Sequence, residues 1–150
     1  MTGTAFETQL RVVIADDHPH FRDGLARALR ASGIDVVAEV ANGEAAILAA
    51  EQQDPDVVVM DLSMPGISGL EATRWLTDHM AGSRVLVLSV SAEDADVTDA
   101  LLAGATGYVL KDMPLEEVVF GIRAAAAGHS IISPRVATAL LRRIREAQPD

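Results

Sequence analysis

The chain has 150 residues, with 12 Lys plus Arg against 22 Asp plus Glu and therefore a formal net charge of −10. This acidity opposes binding to a phosphate backbone, and three Phe, one Trp and one Tyr are too few for base stacking, so we expect no direct contact with nucleic acid. The absence of cysteine excludes disulfide frameworks, thiol nucleophiles and Cys-ligated zinc. The longest apolar run, 45–50, is far shorter than the roughly 20 residues of a membrane span. We expect one cytoplasmic domain that does not bind membranes.

Five short runs rich in β-branched and apolar residues predict β-strands. They are Arg11–Ala15, Asp35–Val40, Val57–Met60, Arg84–Ser89 and Gly107–Leu110. The segments between them have helical spacing of apolar residues, and each leaves room for one crossover helix. Because parallel strands need such crossovers, the sequence predicts an α/β doubly wound fold of five βα units.

A sixth helix, outside the βα repeat, is predicted at Pro134–Ala147. Its apolar residues on one side are Ala137, Leu140, Leu141 and Ile144. Such a stripe predicts either packing onto the domain or contact with a second copy of the chain. We therefore divide the chain into a flexible N-terminal tail (1–10), a βα domain (11–128) and a C-terminal helical segment (129–150).

Polar residues end four of the five predicted strands. They are Asp16 and Asp17 after the first strand, Asp61 after the third, Ser89 at the end of the fourth and Lys111 after the fifth. In an open parallel sheet, ligands bind at this carboxyl edge. Three carboxylates at one edge repel one another unless they are protonated, paired or neutralised by a bound cation, and oxygen ligands favour Mg²⁺ as that cation. The formal charges of the three carboxylates, one Mg²⁺ and the lysine sum to zero, so a phosphoryl anion could approach the site.

Simpler interpretations exist for several of these residues. An Asp pair after a strand often only caps the following helix, and a lone Ser or Lys at a strand end is usually solvated. Two histidines, His18 and His20, flank Pro19 in a predicted loop. We expect solvated side chains at both histidines rather than metal ligands.

Four segments, taken together, resemble one known family. They are VVIADDHPHFRDGL (12–25), VVVMDLSMPGISGLEAT (57–73), VLVLSVS (85–91) and GATGYVLKD (104–112). In this order and spacing they resemble the receiver domain of two-component response regulators of the NarL/FixJ type. The resemblance implies a flavodoxin-like receiver fold over 11–128, with sheet order 2-1-3-4-5. It also implies that 129–150 is a helix and linker towards a LuxR-type helix-turn-helix output domain, which this chain lacks.

The resemblance assigns roles to the acidic residues. Asp61 would be the phosphoacceptor, and its carboxylate would attack the phosphohistidine of a sensor histidine kinase. Asp17, Asp61 and the backbone carbonyl of Ser63 would ligate Mg²⁺, with Asp16 holding the ion chiefly through water. The function implied is a phosphorylation switch that controls transcription, and its catalysis would extend only to its own phosphorylation and dephosphorylation.

The resemblance also implies a set of switch residues. Lys111 would pair with a phosphoryl oxygen, and the Ser89 hydroxyl would bond another. Tyr108 would move between exposed and buried rotamers as the loop after the fourth strand is drawn inward. Asp112 stands where many receivers have a proline after a cis peptide, so the state of the Lys111–Asp112 bond is open.

Three other functions are alternatives to a phosphorylation switch. An aspartyl phosphatase would need a second carboxylate two residues after Asp61, where Ser63 stands. A flavin or dinucleotide carrier would need a phosphate-binding loop, and the chain has no GxGxxG. The strongest alternative is a receiver that dimerises as a scaffold without phosphorylation. If the chain is a phosphorylation switch, we also expect a homodimer that is favoured by phosphate on Asp61. It would form through the last helices or through the fourth-helix to fifth-helix face.

Overall fold

The computed structural model describes residues 9–147, so 1–8 of the predicted tail and 148–150 lie outside the described residues. Five strands alternate with helices, and a sixth helix follows. The strands are β1 (Arg11–Ala15), β2 (Asp35–Val40), β3 (Val57–Met60), β4 (Arg84–Ser89) and β5 (Gly107–Leu110). The helices are α1 (Pro19–Ala31), α2 (Gly43–Gln53), α3 (Gly69–His79), α4 (Asp94–Leu102), α5 (Leu115–Ala126) and α6 (Pro134–Ala147). The predicted strands and the extra helix are confirmed.

The strands form one parallel sheet in the order β2-β1-β3-β4-β5, which confirms the predicted topology. Every residue of β3 and β5 is buried, as expected for strands covered on both faces. The chain order reverses beside β1, so the carboxyl ends of β1 and β3 lie at the switch point where ligands bind in such sheets.

Two hydrophobic cores lie on opposite faces of the sheet, because alternate residues of a strand point to opposite sides. Val12 and Ile14 of β1 pack with α1 and α5, whereas Val13 and Ala15 pack with α2, α3 and α4. Helix α6 joins the second core through Val136 and Ala139. The carboxyl edge of the sheet is thus held by packed layers on both sides.

The apolar face of α6 differs from the prediction. Val136 and Ala139 are buried and Leu140 packs beside them, whereas Leu141 and Ile144 are 49% and 51% exposed. Helix α6 turns an i, i+3, i+4 seam towards α4, and this seam includes Leu140 of the predicted stripe. Leu141 and Ile144 stay exposed, so the choice between packing and contact with a second copy stays open for them.

The segment before α6 extends the sheet. The N–H of Tyr108 donates to the carbonyl of Ile131 (3.0 Å), and the N–H of Ser133 donates to the carbonyl of Tyr108 (3.1 Å). The Ser133 hydroxyl accepts from the N–H of Leu110 (3.2 Å). These bonds satisfy part of the open edge of β5 and tie the start of α6 to it.

Two further observations complete the fold. The peptide bonds of the described residues are all trans, including Lys111–Asp112. Among residues 9–147, no helix has the length and apolar character needed to cross a membrane.

Candidate acidic site at the carboxyl edge

Backbone hydrogen bonds fix the residues that follow the strands. The N–H of Asp16 donates to Val40 (3.0 Å), and the N–H of Asp61 donates to Ala15 (2.9 Å). The N–H of Lys111 donates to the carbonyl of Ser89 (2.8 Å). The strand ladder therefore continues one residue past β1, β3 and β5, and it sets these three side chains at one edge of the sheet.

Glycine permits the close packing under Asp61. A Cβ at Gly69, the first residue of α3, would overlap the carbonyl oxygen of Asp61 and lie 2.8 Å from Cα of Leu62. The N-terminus of α3 therefore rests directly on the loop that leaves β3. This contact holds the Asp61 backbone between the sheet and α3.

Lys111 lies between two buried carboxylates. Its Nζ is 2.7 Å from Oδ2 of Asp16 and 3.3 Å from Oδ2 of Asp61. The exposed fractions of the three side chains are 9% for Lys111, 3% for Asp16 and 4% for Asp61. The ammonium also lies 4.7 Å from the centre of the Phe21 ring, a cation–π distance. The cation is thus fixed where it can neutralise charge on Asp61.

Asp61 is held in an environment that disfavours its ionised form. Burial raises the pKa of Asp61 above 3.8, and the nearby Asp16 raises it further. The N–H of Ser63, which donates to Oδ1 of Asp61 at 3.2 Å, and the ammonium of Lys111 oppose that rise. A further cation beside Asp61 would therefore stabilise the ionised form of its carboxylate.

The structure brings together three of the predicted metal ligands. Ligand atoms of Asp16, Asp17, His18 and Asp61 all lie within 4.8 Å of one another. Oδ1 of Asp17 is buried and accepts no hydrogen bond within the described residues. A carboxylate oxygen that accepts no hydrogen bond and lies beside two other carboxylates fits a hard divalent cation such as Mg²⁺. The fourth predicted ligand, the carbonyl of Ser63, stays a prediction.

His18 is placed differently from the sequence expectation. Its Nδ1 lies 3.2 Å from Oδ1 of Asp16, 3.2 Å from Oδ1 of Asp17 and 3.9 Å from Oδ2 of Asp61. Its backbone N–H donates to Oδ1 of Asp16 (2.9 Å), which turns the loop back over the cluster. The ring is 66% exposed, as expected for a solvated side chain, but its contact with the carboxylates was not predicted. Its position directly after Asp17 was the available signal.

The predicted switch residues meet at Ser91 rather than at Asp61. The Tyr108 hydroxyl donates to the carbonyl of Ser91 (2.6 Å), and the Ser89 hydroxyl accepts from the N–H of Ser91 (3.1 Å). Tyr108 is fully buried, and this burial raises its pKa. Ser91 in turn donates to Oδ2 of Asp96 in α4 (2.5 Å). Sequence reasoning missed Ser91, because only the fold of the loop after β4 brings it to Tyr108.

A small cavity separates Ser89 and Ser91 from the loop that follows Asp61. It has a volume of about 230 Å³ and lies between the loop after β3 and the loop after β4. Ser63, Ser89 and Ser91 contribute to its wall, with Asp96 from α4. The Ser89 hydroxyl, which accepts from Ser91, therefore also borders open space between the two loops.

Comparisons with known proteins agree with this arrangement. A model of the response regulator receiver domain family matches residues 12–123. The nitrate/nitrite response regulator protein NarL of Escherichia coli (strain K12) is 40% identical over 135 residues, which are 89% of this chain and 62% of that protein. The transcriptional regulatory protein DegU of Brevibacillus brevis is 38% identical over 140 residues, 93% of this chain and 59% of that protein.

A solved structure extends the agreement to the fold. A two-component response regulator of the LuxR family from Aurantimonas sp. SI85-9A1 superposes with a TM-score of 0.84 at 36% identity, covering 92% of this chain and 99% of the other. The chain spans about three fifths of the two curated relatives. Switching by phosphorylation is the general function of the family to which these domains belong. The chain belongs to the response-regulator receiver family, in its NarL/FixJ branch with LuxR-type relatives.

Proposed function

We propose that Asp61 accepts a phosphoryl group from the phosphohistidine of a sensor histidine kinase. An oxygen of its carboxylate forms the new bond to phosphorus, the P–N bond breaks, and the leaving imidazole keeps the electron pair and takes a proton. The observation that carries the proposal is the buried Asp61 carboxylate, 3.3 Å from the ammonium of Lys111 and beside two further carboxylates.

Mg²⁺ is part of the proposed reaction. Asp17, Asp61 and the carbonyl of Ser63 would ligate the ion directly, and Asp16 would hold it chiefly through water. The bound ion would supply positive charge that offsets repulsion between the carboxylates and the incoming phosphoryl group. Lys111 would supply the second positive charge, by moving its ammonium from Asp16 towards a phosphoryl oxygen.

The proposed output begins at Ser89. When its hydroxyl donates to a phosphoryl oxygen, Ser89 is drawn towards Asp61, and its contact with the N–H of Ser91 changes. The support that Ser91 gives to the Tyr108 hydroxyl changes with it. The backbone of Tyr108 makes hydrogen bonds with Ile131 and Ser133, and these residues lead into α6. A change at Tyr108 therefore has a short covalent and hydrogen-bonded route to the C-terminal helix.

The domain assignment follows from the same proposal. Residues 11–128 form the receiver, 1–10 a tail, and 129–150 a helix and linker towards a LuxR-type helix-turn-helix in a longer protein. The net charge of −10 opposes DNA binding by this chain, which supports assigning DNA binding to the helix-turn-helix domain.

The proposed catalysis is confined to the chain's own phosphorylation and dephosphorylation. The same proposal places the chain in the cytoplasm, the compartment of phosphoryl donors such as acetyl phosphate.

Intact mass after incubation with acetyl phosphate and Mg²⁺ tests the function. We expect one added phosphoryl group on the wild type, none on Asp61→Asn, and the wild-type result on Asp78→Asn, an exposed control on α3. EDTA should abolish the gain in mass. An unmodified wild type that still dimerises would favour the scaffold alternative, and an Asp61→Asn variant that is still modified would refute the phosphoacceptor assignment.

We also propose a homodimer that is favoured by phosphorylation of Asp61. Supporting it are the exposed apolar side chains of Leu141 and Ile144, which α6 presents away from its packed seam. Sedimentation velocity should show association of the wild type that increases with beryllofluoride. Leu141→Glu should weaken association, whereas Thr138→Glu, an exposed site on the same helix with the same added charge, should not. A protein that stays monomeric under both conditions would exclude this interface.

A further inference from the structure

An apolar groove lies between the first half of α5 and the segment that leads into α6. It has a volume of about 340 Å³, and most of its wall is apolar. The apolar wall residues are Val109, Met113, Phe120, Ile131, Ile132 and Pro134. The Phe120 ring, which belongs to this wall, is 63% exposed. The wall contains none of the acidic site's carboxylates, so the groove is a separate surface.

The groove continues along one side of α6. Pro134 is part of its wall and is the first residue of α6, and Leu141 follows seven residues later. Residues seven apart lie on the same side of a helix, about 10.5 Å apart along its axis. Leu141 is 49% exposed, and Ile144 beyond it is 51% exposed. An apolar strip therefore runs from Phe120 across the groove to the end of α6, which is the kind of surface that marks a protein contact.

The two ends of this apolar strip carry opposite charges. On α5, Glu116 and Glu117 lie four and three residues before Phe120, so both flank its ring. On α6, Arg145 lies four residues after Leu141 and is next to it on the helix surface. The strip is therefore acidic where the groove lies and basic where α6 ends.

These end charges have no partner in the part of the chain that the structure describes. Two other arginines of α6 form ion pairs within the domain, with Asp112 at 2.9 Å and with Asp94 at 3.0 Å. Arg145, Glu116 and Glu117 are exposed and form no ion pair with any residue of 9–147. Their charges are free to meet a partner of opposite sign.

A second copy of this chain supplies that partner. A two-fold axis across the strip places the acidic end of one copy against the basic end of the other, and the reverse contact follows by symmetry. Each groove then receives the α6 face of the other copy. Because the contact is made twice, it covers both strips and closes as a dimer.

We propose that α6 docks into the α5 groove of a second copy, with Leu141 as the apolar anchor and Arg145 paired with Glu117. This inference rests on the homodimer in the proposed function and names the surface that receives Leu141. The dimer contact then lies directly after Ile131 and Ser133, the residues bonded to the backbone of Tyr108.

The charges also have a simpler role within each helix. Glu117 lies in the first turn of α5 and Arg145 in the last turn of α6, where each stabilises its own helix through the helix dipole. In that role, reversing both charges in one chain adds two unfavourable effects. In the dimer, the double reversal rebuilds the ion pair with opposite polarity, so the two roles predict opposite results.

Sedimentation equilibrium of matched charge variants, with and without beryllofluoride, tests the pairing. We expect Glu117→Arg and Arg145→Glu each to weaken self-association by about tenfold or more, because like charges then face each other twice. The double variant should return to within about threefold of the wild type. Arg74→Glu, an exposed control on α3 that changes the net charge as Arg145→Glu does, should stay within about twofold.

A second pair of variants tests the apolar part. Phe120→Ser should weaken self-association by about fivefold or more, because it removes apolar area that the dimer buries. Leu48→Ser removes a side chain of α2 that is 54% exposed and lies outside the strip, and it should match the wild type.

Several results would overturn this interface. They are a wild type that stays monomeric, species larger than a dimer, a double variant no stronger than either single variant, and a Phe120→Ser variant that associates as Leu48→Ser does. Intact mass after acetyl phosphate treatment of the same proteins separates the two proposals. Phosphate on the wild type without this pattern of association refutes the interface alone, whereas the pattern without phosphate refutes the phosphoacceptor alone.

Discussion

Lys111→Met is expected to lower the free energy of unfolding by about 3 to 5 kcal/mol at neutral pH, because it leaves two buried carboxylates without their partner. Nζ of Lys111 contacts both Asp16 and Asp61, whose side chains are 3% and 4% exposed. Methionine keeps the length and apolar stem of the side chain and removes only the charge. Urea unfolding measured in EDTA gives the loss.

Two comparisons sharpen this result. Arg142→Met breaks an ion pair with Asp94 whose side chains are 55% and 24% exposed, and it should cost less than about 1 kcal/mol. Adding Asp61→Asn to Lys111→Met should restore part of the lost stability, because one of the unpaired charges is gone. If Lys111→Met unfolded at the same urea concentration as Arg142→Met, the ammonium would not be the internal counter-ion of this site.

Asp61→Asn is expected to stabilise the metal-free protein near neutral pH, because the variant has no buried charge at position 61. Burial and the neighbouring Asp16 raise the pKa of Asp61 in the folded state, so its ionisation there costs free energy. Lys111 keeps its shorter contact, 2.7 Å to Asp16, in the variant. Removing the charge therefore removes more repulsion than attraction.

The pH dependence follows from the sign of that shift. Below the ordinary value of 3.8, Asp61 is protonated in both folded and unfolded states and contributes no difference. As the pH rises from 3.8 through the raised folded-state pKa, the wild type loses stability relative to Asp61→Asn, and above it the gap stays constant. Paired urea titrations across this window in EDTA measure it. A variant less stable than the wild type at pH 7 would contradict a raised pKa for Asp61 in the folded protein. Mg²⁺ should close the gap by stabilising the wild type.

The sheet was predictable from the sequence because its strands are short and rich in apolar residues, and four of the five are almost fully buried. Runs such as Val57–Met60 have one structural interpretation once helical segments of suitable length separate them. The polar residues just after those strands were then predictable as neighbours, since parallel strands bring their carboxyl ends to one edge. Asp16, Asp61 and Lys111 meet there for this reason.

The parts that sequence reasoning missed depend on how loops and helices are directed. The contacts of the His18 ring with Asp16 and Asp17 were not predicted, because nothing in the residue pattern tells which way a turn points a ring. Ser91 lies two residues past β4, and its contacts with Tyr108 and Asp96 require the loop to fold back over the sheet edge. The pattern also did not tell which apolar residues of α6 pack on α4, because they cover more of the helix than α4 can bury, and Leu141 and Ile144 stay exposed.

The central claim is that Asp61 is the residue that carries phosphate, and chemical trapping tests it at residue level. Borohydride reduces an aspartyl phosphate to homoserine, so the protein is treated with acetyl phosphate and Mg²⁺, reduced, digested and sequenced by mass spectrometry. We predict homoserine at position 61 and unaltered aspartate at Asp16 and Asp17. Homoserine at either of those positions, or at none of the three, would contradict the account.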